Sequence, residues 1–202
     1  MAAGDISKTL LARVRTSLDE TTEGYFLDAE IYKALTDAQR ETINFVLAVY
    51  KQKIAINPEE KLPEVLRVLQ GTIATGTGTQ NLPTGFLYPL AVYTSALPVF
   101  IRPDGITRGA SKYNTYLASS ASQPYCSFSA TQIVFETSVA WSLEHLVSPS
   151  TDIDTSHDPT LTASAYEAIV EYAIAFMLAK DENPRSAQHL QKFFQLIQNL
   201  IF

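Results

Sequence analysis

The chain of 202 residues lacks several features that mark specialised classes of protein. Its single cysteine, Cys126, cannot form an internal disulfide, which is typical of a protein from a reducing compartment. No apolar stretch approaches the roughly 18 to 20 residues that a membrane helix needs. The N-terminus, MAAGDISKTL, lacks the basic and apolar regions of a secretory signal. We therefore expect a soluble protein without a signal peptide, a membrane helix or disulfides.

An excess of positive charge is also missing. Fifteen Lys and Arg residues stand against 21 Asp and Glu residues, which gives a net charge of −6. A mildly acidic chain does not attract nucleic acid through its overall charge, although a local basic patch is compatible with it. Hydrophobic residues make up 46% of the chain, so disorder is excluded and a folded core of one domain is expected.

The sequence has only a fragment of a phosphate-binding motif. Gly71 and Gly76 have the glycine spacing of a phosphate loop. That loop needs a lysine after the second glycine to reach the phosphates, and Thr77 occupies the position. A flexible or hairpin loop is the simpler interpretation, because Gly and Thr recur here.

Metal-binding and catalytic motifs are incomplete as well. Asp152, Asp154 and Asp158 resemble the start of a calcium loop, but its glycine and its closing glutamate are missing. Solvated carboxylates near the start of a helix are the alternative. No histidine has a second His or Cys at metal-ligand spacing, and no nucleophile elbow occurs. We predict no catalytic residues, no metal site, no cofactor and no enzymatic activity.

The N-terminal third has helical periodicity. Asp5 is expected to cap a first helix, and a longer helix is predicted to begin near Asp28. The apolar stripe of the longer helix consists of Ile31, Leu35, Ala38, Thr42, Phe45, Val46 and Val49. Its opposite face carries Lys33, Asp37, Arg40, Glu41 and Asn44. Such a face suits solvent or a polar partner.

The middle third has short β-rich runs interrupted by Gly and Pro. The runs 125–129 and 132–137 predict a hairpin that turns at Ala130 and Thr131. Alternation around Trp141, Leu143 and His145 predicts a half-buried strand.

The final third is helical again. Ser164 with Glu167 is a possible capping box, with Thr162 as the competing cap. The helix that follows is apolar over most of its circumference, which is typical of a central position. One side of the last helix carries Ala187, Leu190, Phe193, Phe194, Ile197 and Ile201. Its apolar end, Leu196 to Phe202, suits either core packing or a groove on a partner.

These patterns predict an α+β fold in one domain, 1–202. Helices from 1–70 and 158–202 are expected to pack as a bundle, with an antiparallel β-rich insertion over 71–157.

Several segments, in this order, resemble the head-to-tail adaptor proteins of tailed phages. They are Tyr25 to Ala38 at the opening of the long helix, Asn81 to Leu87 with its Leu-Pro-x-x-Phe step, Thr131 to Phe135 in the hairpin, Asp158 to Leu161, Tyr166 to Ala168, Tyr172 with Ala173, Lys180 to Asn183, Ala187, and His189 to Phe194. Leu27 stands where the family often has a small capping residue, and Arg102 to Ser122 match no part of the pattern.

The resemblance implies a structural virion protein that makes and breaks no bonds. Such adaptors form a homo-oligomeric ring, commonly of twelve copies, in the neck between the portal protein and a tail or nozzle protein. The ring extends the channel through which genome DNA passes without sequence-specific binding. The chain would reside in the host cytoplasm before assembly. Another non-enzymatic phage assembly or interaction protein is the alternative.

Two sets of residues are the candidate contact sites for this role. The apolar chain end is the candidate portal-binding segment: Leu196, Ile197, Leu200, Ile201 and Phe202. The polar face of the long helix is the candidate subunit interface or channel face: Lys33, Asp37, Arg40, Glu41 and Asn44.

Overall fold

A computed structural model shows the predicted α+β fold. It describes residues 3–20, 24–57, 59–95, 97–101, 124–135 and 137–201. The chain divides into two compact units, a helical unit of Met1–Leu69 with Pro149–Phe202 and a β-rich unit of Gln70–Ser148. The sequence placed the end of the insertion at residue 157, whereas residues 149–157 belong to the helical unit. Their hydrogen bonds to its helices, described below, explain the difference.

The helical unit is a bundle built around one central helix. The described helices are α1 (Asp5–Ser17), α2 (Asp28–Ile56), α3 (Glu64–Arg67), α4 (Tyr166–Lys180) and α5 (Arg185–Ile201), with a 3-10 turn at Ala163–Ala165. Helix α4 packs against α1, α2 and α5, and α2 also packs against α5. The apolar circumference of α4 therefore has a physical reason, because three helices cover it.

Helix α2 is buried on more sides than its periodicity suggests. Its predicted stripe is buried at Ile31, Leu35, Ala38, Thr42 and Val46, and half-buried at Phe45 and Val49. Further residues are buried beside this stripe: Tyr32, Ala34, Thr36, Gln39, Ile43, Leu47 and Tyr50. The predicted polar face is consequently a narrow strip.

Glu30 contributes to the N-terminal cap of α2, because Leu27, the residue before the helix, has no side chain that can accept a hydrogen bond. The helix begins at Asp28, as predicted, and Leu27 is the preceding residue. The Leu27 N–H donates to the Glu30 carboxylate at 3.1 Å, which is half of a capping box. Buried Arg15 of α1 also donates to the Phe26 carbonyl at 3.1 Å and to Asp28, which holds the end of α1 at this point.

The β-rich unit contains two sheets in its described part. The strands are β1 (Ala74–Thr77), β2 (Gln80–Asn81), β3 (Phe86–Thr94), β4 (Leu97–Pro98), β5 (Phe100–Ile101), β6 (Tyr125–Phe128), β7 (Gln132–Phe135) and β8 (Ala140–Val147). One sheet has the order β1-β8-β3-β4 and the other β2-β7-β6-β5. All pairs are antiparallel except β5 with β6, which is parallel. The predicted hairpin is confirmed as β6–β7.

The core of the β-rich unit lies around Trp141 of β8. The indole N–H of Trp141 donates to the Gly78 carbonyl at 2.7 Å, and the ring stacks on Phe135. The same core includes Cys126, where burial raises the thiol pKa to about 12. Such a thiol remains protonated at neutral pH, so it packs as a small apolar side chain.

The predicted alternation in β8 holds through His145 and then ends. Trp141, Leu143 and His145 are buried, but Leu146 on the opposite face is also fully buried. The register between β3 and β8 shifts between Phe86 and Tyr88, a bulge next to the end of β8. A bulge changes local strand direction, which periodicity alone does not reveal.

His145 is a buried histidine with an unsatisfied nitrogen. The residue is 3% exposed, and its Nδ1 has no hydrogen-bond partner among the described residues. Its ring stacks on Phe86. A Cβ at Gly71 would lie 2.9 Å from Nε2, so the glycine leaves the space that the ring occupies. The His145 side chain therefore packs like an aromatic ring, and its Nδ1 remains buried without a hydrogen-bond partner among the described residues.

A loop over residues 152–161 is held to α1 and α2 by buried polar side chains. The Ile153 N–H donates to Thr36 Oγ1 at 2.9 Å, and the Thr160 N–H donates to Gln39 Oε1 at 2.7 Å. Ser7 Oγ donates to the Asp154 carbonyl at 2.6 Å. Thr36, Gln39 and Ser7 are all buried, so each bond satisfies a group that has little access to water.

The cap of α1 comes from this loop, and the prediction that Asp5 caps the helix is wrong. Asp5 is the first helical residue and Gly4 precedes it at φ +82°. The Asp158 carboxylate accepts the N–H groups of Ser7 at 2.9 Å and Gly4 at 3.3 Å. A Cβ at Gly4 would lie 2.1 Å from the Thr155 carbonyl oxygen, so glycine is required here.

The predicted capping box before α4 is also wrong. Thr162 Oγ1 and Ser164 Oγ hydrogen bond to each other at 2.8 Å, and neither caps the helix through its side chain. Glu167 instead binds Arg13 and Lys192. Cations on neighbouring helices compete for the carboxylate, and sequence spacing cannot show them.

Helix α3 begins directly after Pro63 and buries Val65 and Leu66.

We expect Asp158→Ala to lower the free energy of unfolding by about 1 to 2 kcal/mol, because two N–H groups of the first turn of α1 lose their acceptor. Urea unfolding followed by circular dichroism measures the change. Asp181→Ala is the control, since Asp181 is exposed at the end of α4. Equal effects of the two substitutions would show that the cap contributes nothing.

We expect His145→Leu to leave the free energy of unfolding unchanged or to raise it by up to about 1 kcal/mol, because it removes an unsatisfied buried nitrogen. His189→Leu is the matched control and should destabilise the chain, because His189 Nδ1 lies 2.7 Å from buried Glu171. Both are measured by urea unfolding. A loss above about 2 kcal/mol at His145 would mean that its Nδ1 has a partner.

Candidate interaction surfaces

The predicted contact residues of α2 form one accessible strip. Lys33, Arg40 and Asn44 are exposed, and Asp37 and Glu41 are half-buried. Their spacing of three and four residues places them on one side of the helix. The structure thus brings all five together.

The strip borders a charged groove in the helical unit. Arg40 pairs with Asp152 at 2.7 Å and with Asp37 at 3.6 Å. With Asp154 and Lys33, these side chains line a groove of about 530 Å³. Exposed ion pairs of this kind stabilise a fold by only about 0 to 1 kcal/mol each. Replacing these ion pairs with ion pairs to another protein would therefore cost little free energy.

The three aspartates that resemble a calcium loop have separate roles. Asp152 pairs with Arg40, and Asp158 caps α1. Asp154 accepts N–H bonds from Ser156 and His157, and the hydrogen bond from the His157 side chain holds the pKa of its carboxyl below the usual value. Within the described ranges, no three His, Cys, Asp or Glu side chains converge on a metal position.

The candidate phosphate loop has a different structure. Thr77 and Gly76 lie in β1, which pairs with β8, and the Gly71 N–H donates to the His145 carbonyl at 2.9 Å. A phosphate loop needs free N–H groups at the start of a helix. Gly76 and Thr77 belong to a paired strand instead, so the interpretation of this segment as a flexible or hairpin loop is wrong for residues 74–77.

The residues of the candidate portal-binding segment differ in how far they are buried. Ile197 and Ile201 are buried, and Lys53 Nζ donates to the Ile201 carbonyl at 3.2 Å. Leu196 and Leu200 are half-buried. Phe202 lies outside the described residues. Ile197 and Ile201 thus pack as core in the single chain, whereas Leu196 and Leu200 retain accessible surface.

A second surface lies between α4 and α5. Phe176 of α4 is 41% exposed, and Leu190 and Phe194 of α5 are 37% and 40% exposed. Phe176 and Leu190 line a groove of about 320 Å³ together with Tyr172 and Ala179. The sequence placed Leu190 and Phe194 in the apolar stripe of the last helix without showing that they remain accessible. The apolar stripe of α5 is therefore wider than the part of the α5 surface that α4 and α2 bury.

Tyr172 is one of the residues that line this apolar groove. Burial raises the pKa of its hydroxyl, and the carboxylates of Glu41 and Asp37 raise it further. Lys180 Nζ lies 5.4 Å from the centre of the Phe176 ring and 3.5 Å from Glu30.

A buried glutamate, which sequence analysis missed, lies on α4. Glu171 is 4% exposed and hydrogen bonds to His189 Nδ1 at 2.7 Å and to Lys192. Glu167, one turn earlier, binds Lys192 at 3.3 Å and Arg13 of α1. The signal was a carboxylate inside an otherwise apolar helix, which indicates a buried pair. The network joins α1, α4 and α5, and no hydroxyl or thiol of the described chain hydrogen bonds to His189.

Comparison with known proteins finds no family model that matches the chain and no curated protein with significant similarity to it. None of the helices within the described ranges is long and apolar enough to cross a membrane.

We expect Glu167→Gln to lower the free energy of unfolding by about 0.5 kcal/mol at neutral pH, a small value because the side chain is 39% exposed. Arg13, the main cause, lowers the pKa of Glu167 in the folded protein. The carboxylate therefore stabilises the fold above its unfolded pKa, and this contribution disappears as the pH falls through the folded pKa.

Urea unfolding at about pH 7 and about pH 2 measures the difference, because the carboxyl is ionised at the first and the second lies well below its unfolded pKa, where the stabilisation is being lost. Glu59→Gln is the control, since Glu59 is exposed and forms no ion pair within the described ranges. An equal loss at both pH values would contradict the assignment.

Proposed function

We propose that the chain is a structural subunit of a tailed-phage virion, a head-to-tail adaptor that acts as one copy in a ring between the portal and a tail or nozzle protein. The ring, of about twelve copies as the resemblance implies, extends the channel for genome DNA. Support comes from the ordered segments that resemble this family and from an α+β fold with terminal helices around a β-rich insertion. The proposed location is the neck of the virion, with the host cytoplasm before assembly.

One observation carries the proposal. Helix α2 has 29 residues, is buried on most sides and presents a mixed-charge strip that contains Lys33, Arg40 and Glu41. A ring joins a different surface of each copy to the next. A strip with both signs of charge suits such a contact, because a neighbouring copy can exchange ion pairs with it.

The same strip also suits a channel wall. DNA carries about one negative charge per 1.7 Å of its axis, so a basic wall would hold it by releasing counterions. The strip alternates charge, and the whole chain has a net charge of −6. A surface of this kind lets DNA pass without retention, which is the physical requirement of a conduit.

The portal contact is assigned to the accessible part of the chain end. Ile197 and Ile201 contribute to the core of the helical unit. Leu196 and Leu200 are four residues apart, so their half-buried side chains lie together on α5. An apolar groove on the portal that covers these two leucines would bury them without unfolding the chain.

The alternative is another non-enzymatic phage assembly or interaction protein. The exposed apolar groove between α4 and α5 is compatible with both proposals, because either needs a protein partner. Presence in the finished particle separates them. A virion subunit is retained in purified particles, whereas an assembly factor is lost. Locating the chain in a reconstruction of the intact particle therefore tests the proposal directly.

We expect Leu196→Ser with Leu200→Ser to weaken attachment to purified portal rings at least about tenfold, a change of about 1.4 kcal/mol, because the apolar contact is lost. Gln195→Ser with Gln198→Ser, on the exposed side of α5, is the matched control and should attach normally. Size-exclusion chromatography and negative-stain images measure attachment, and thermal unfolding verifies that both variants fold. Normal attachment of the leucine variant would refute the assigned contact.

A further inference from the structure

The β-rich unit contains a buried histidine that is held like an aromatic ring. His145 of β8 is 3% exposed, and its Nδ1 has no hydrogen-bond partner among the described residues. The imidazole stacks on Phe86 of β3 with 5.8 Å between the ring centres, and Gly71 leaves the space beside Nε2. The ring therefore has a fitted place in the unit, but nothing in that place stabilises a positive charge on it.

Charged residues are scarce in the part of this unit that the structure describes. Apart from His145, only Glu144 is charged within residues 70–95, 97–101, 124–135 and 137–148. Successive residues of a strand point to opposite faces of the sheet, so Glu144 points away from His145, and its carboxylate interacts with the Tyr93 hydroxyl of β3.

The strands that pair with β8 supply no charge to His145 either. Strand β1 has no titratable side chain, and β3 has only Tyr88 and Tyr93, whose hydroxyls are neutral in the range where histidine titrates. Gln70 and Gly71, which also adjoin the end of β8, are uncharged. Within the described ranges of this unit, no carboxylate faces the imidazole.

A proton on His145 therefore disfavours the folded state of the unit. An imidazolium has two N–H donors, so the donor at Nδ1 would be buried without an acceptor, together with a charge that has no partner. In the unfolded chain a histidine takes up this proton at about pH 6.5. Because the unfolded state binds more protons below that pH, stability decreases as the pH falls.

The two histidines of the helical unit have the opposite surroundings. His157 Nδ1 lies 2.9 Å from Asp154 Oδ2, and His189 Nδ1 lies 2.7 Å from Glu171 Oε2. A proton on either ring forms an ion pair with a carboxylate, which favours the folded state. Mild acid consequently acts on the two units in opposite directions.

We propose that His145 makes the β-rich unit acid-labile, so that this unit loses stability between about pH 7 and pH 5 and unfolds before the helical unit does. The device is one proton that the unfolded unit binds and the folded unit excludes. It is independent of the proposed place of the chain in a virion.

Urea unfolding of the full chain tests the proposal, because Trp141, the only tryptophan, lies in the core of the β-rich unit and reports its unfolding by fluorescence. Between about pH 7.5 and pH 5, we expect the unfolding constant of the natural chain to rise about thirtyfold relative to that of His145→Leu, the effect of one proton. His157→Leu is the matched control, and the same ratio should not rise for it. A constant ratio for His145→Leu would overturn the proposal.

A nuclear magnetic resonance titration needs no substitution at His145. The chain has three histidines, so labelling their rings with carbon-13 gives three sets of signals. His157→Gln and His189→Gln assign two of them. We expect the His145 signal of the folded chain to keep its neutral position down to about pH 5, while that of exposed His157 moves. A His145 signal that moves with that of His157 in the folded chain would refute the proposal.

Circular dichroism of the helices tests the order of unfolding. At about pH 5 we expect the helix signal to persist to a higher urea concentration than the folded fluorescence of Trp141, since the helical unit holds the paired histidines. Coincident transitions at this pH would show that the two units unfold together, which contradicts the proposed device.

Discussion

The helical unit depends on a loop whose backbone is satisfied by buried polar side chains. Ser7, Thr36 and Gln39 are placed on α1 and α2 where an ordinary core would have apolar residues. Each of them hydrogen bonds to the backbone of residues 152–161. A buried polar group without a partner costs about 1 to 3 kcal/mol, so loop and helices require each other. Asp158 adds the cap of α1 from the same loop.

This constraint brings segments that are distant in sequence into one bundle. With α1 and α2 held to the loop, the chain enters α4 next to both of them, and α4 becomes the centre of the helical unit. The charged network around Glu171 then joins α4 to α1 and α5 through Arg13, His189 and Lys192. Burial of apolar surface supplies most of the stabilisation of the fold. Because the apolar faces of the helices are similar, the polar contacts select one arrangement of the helices.

The accessible surface follows from what the bundle leaves uncovered. Helix α2 retains a narrow mixed-charge strip because its other sides are buried, and α5 retains Leu190 and Phe194 because its apolar arc exceeds the width of its neighbours. The functional proposals depend on these surfaces.

Several features were predictable from local sequence alone: the α+β class, the start of α2 at Asp28, the β6–β7 hairpin and the five residues of the polar strip. These follow from local periodicity and turn chemistry, which act between neighbouring residues. Long-range contacts were needed to show that Asp158 rather than Asp5 caps α1, that Ile197 and Ile201 are buried, and that Phe194 is exposed. The cap of α1 depends on a residue more than a hundred positions away. Burial of the side chains of α5 depends on how much of its surface the neighbouring helices cover. A local sequence pattern reveals neither.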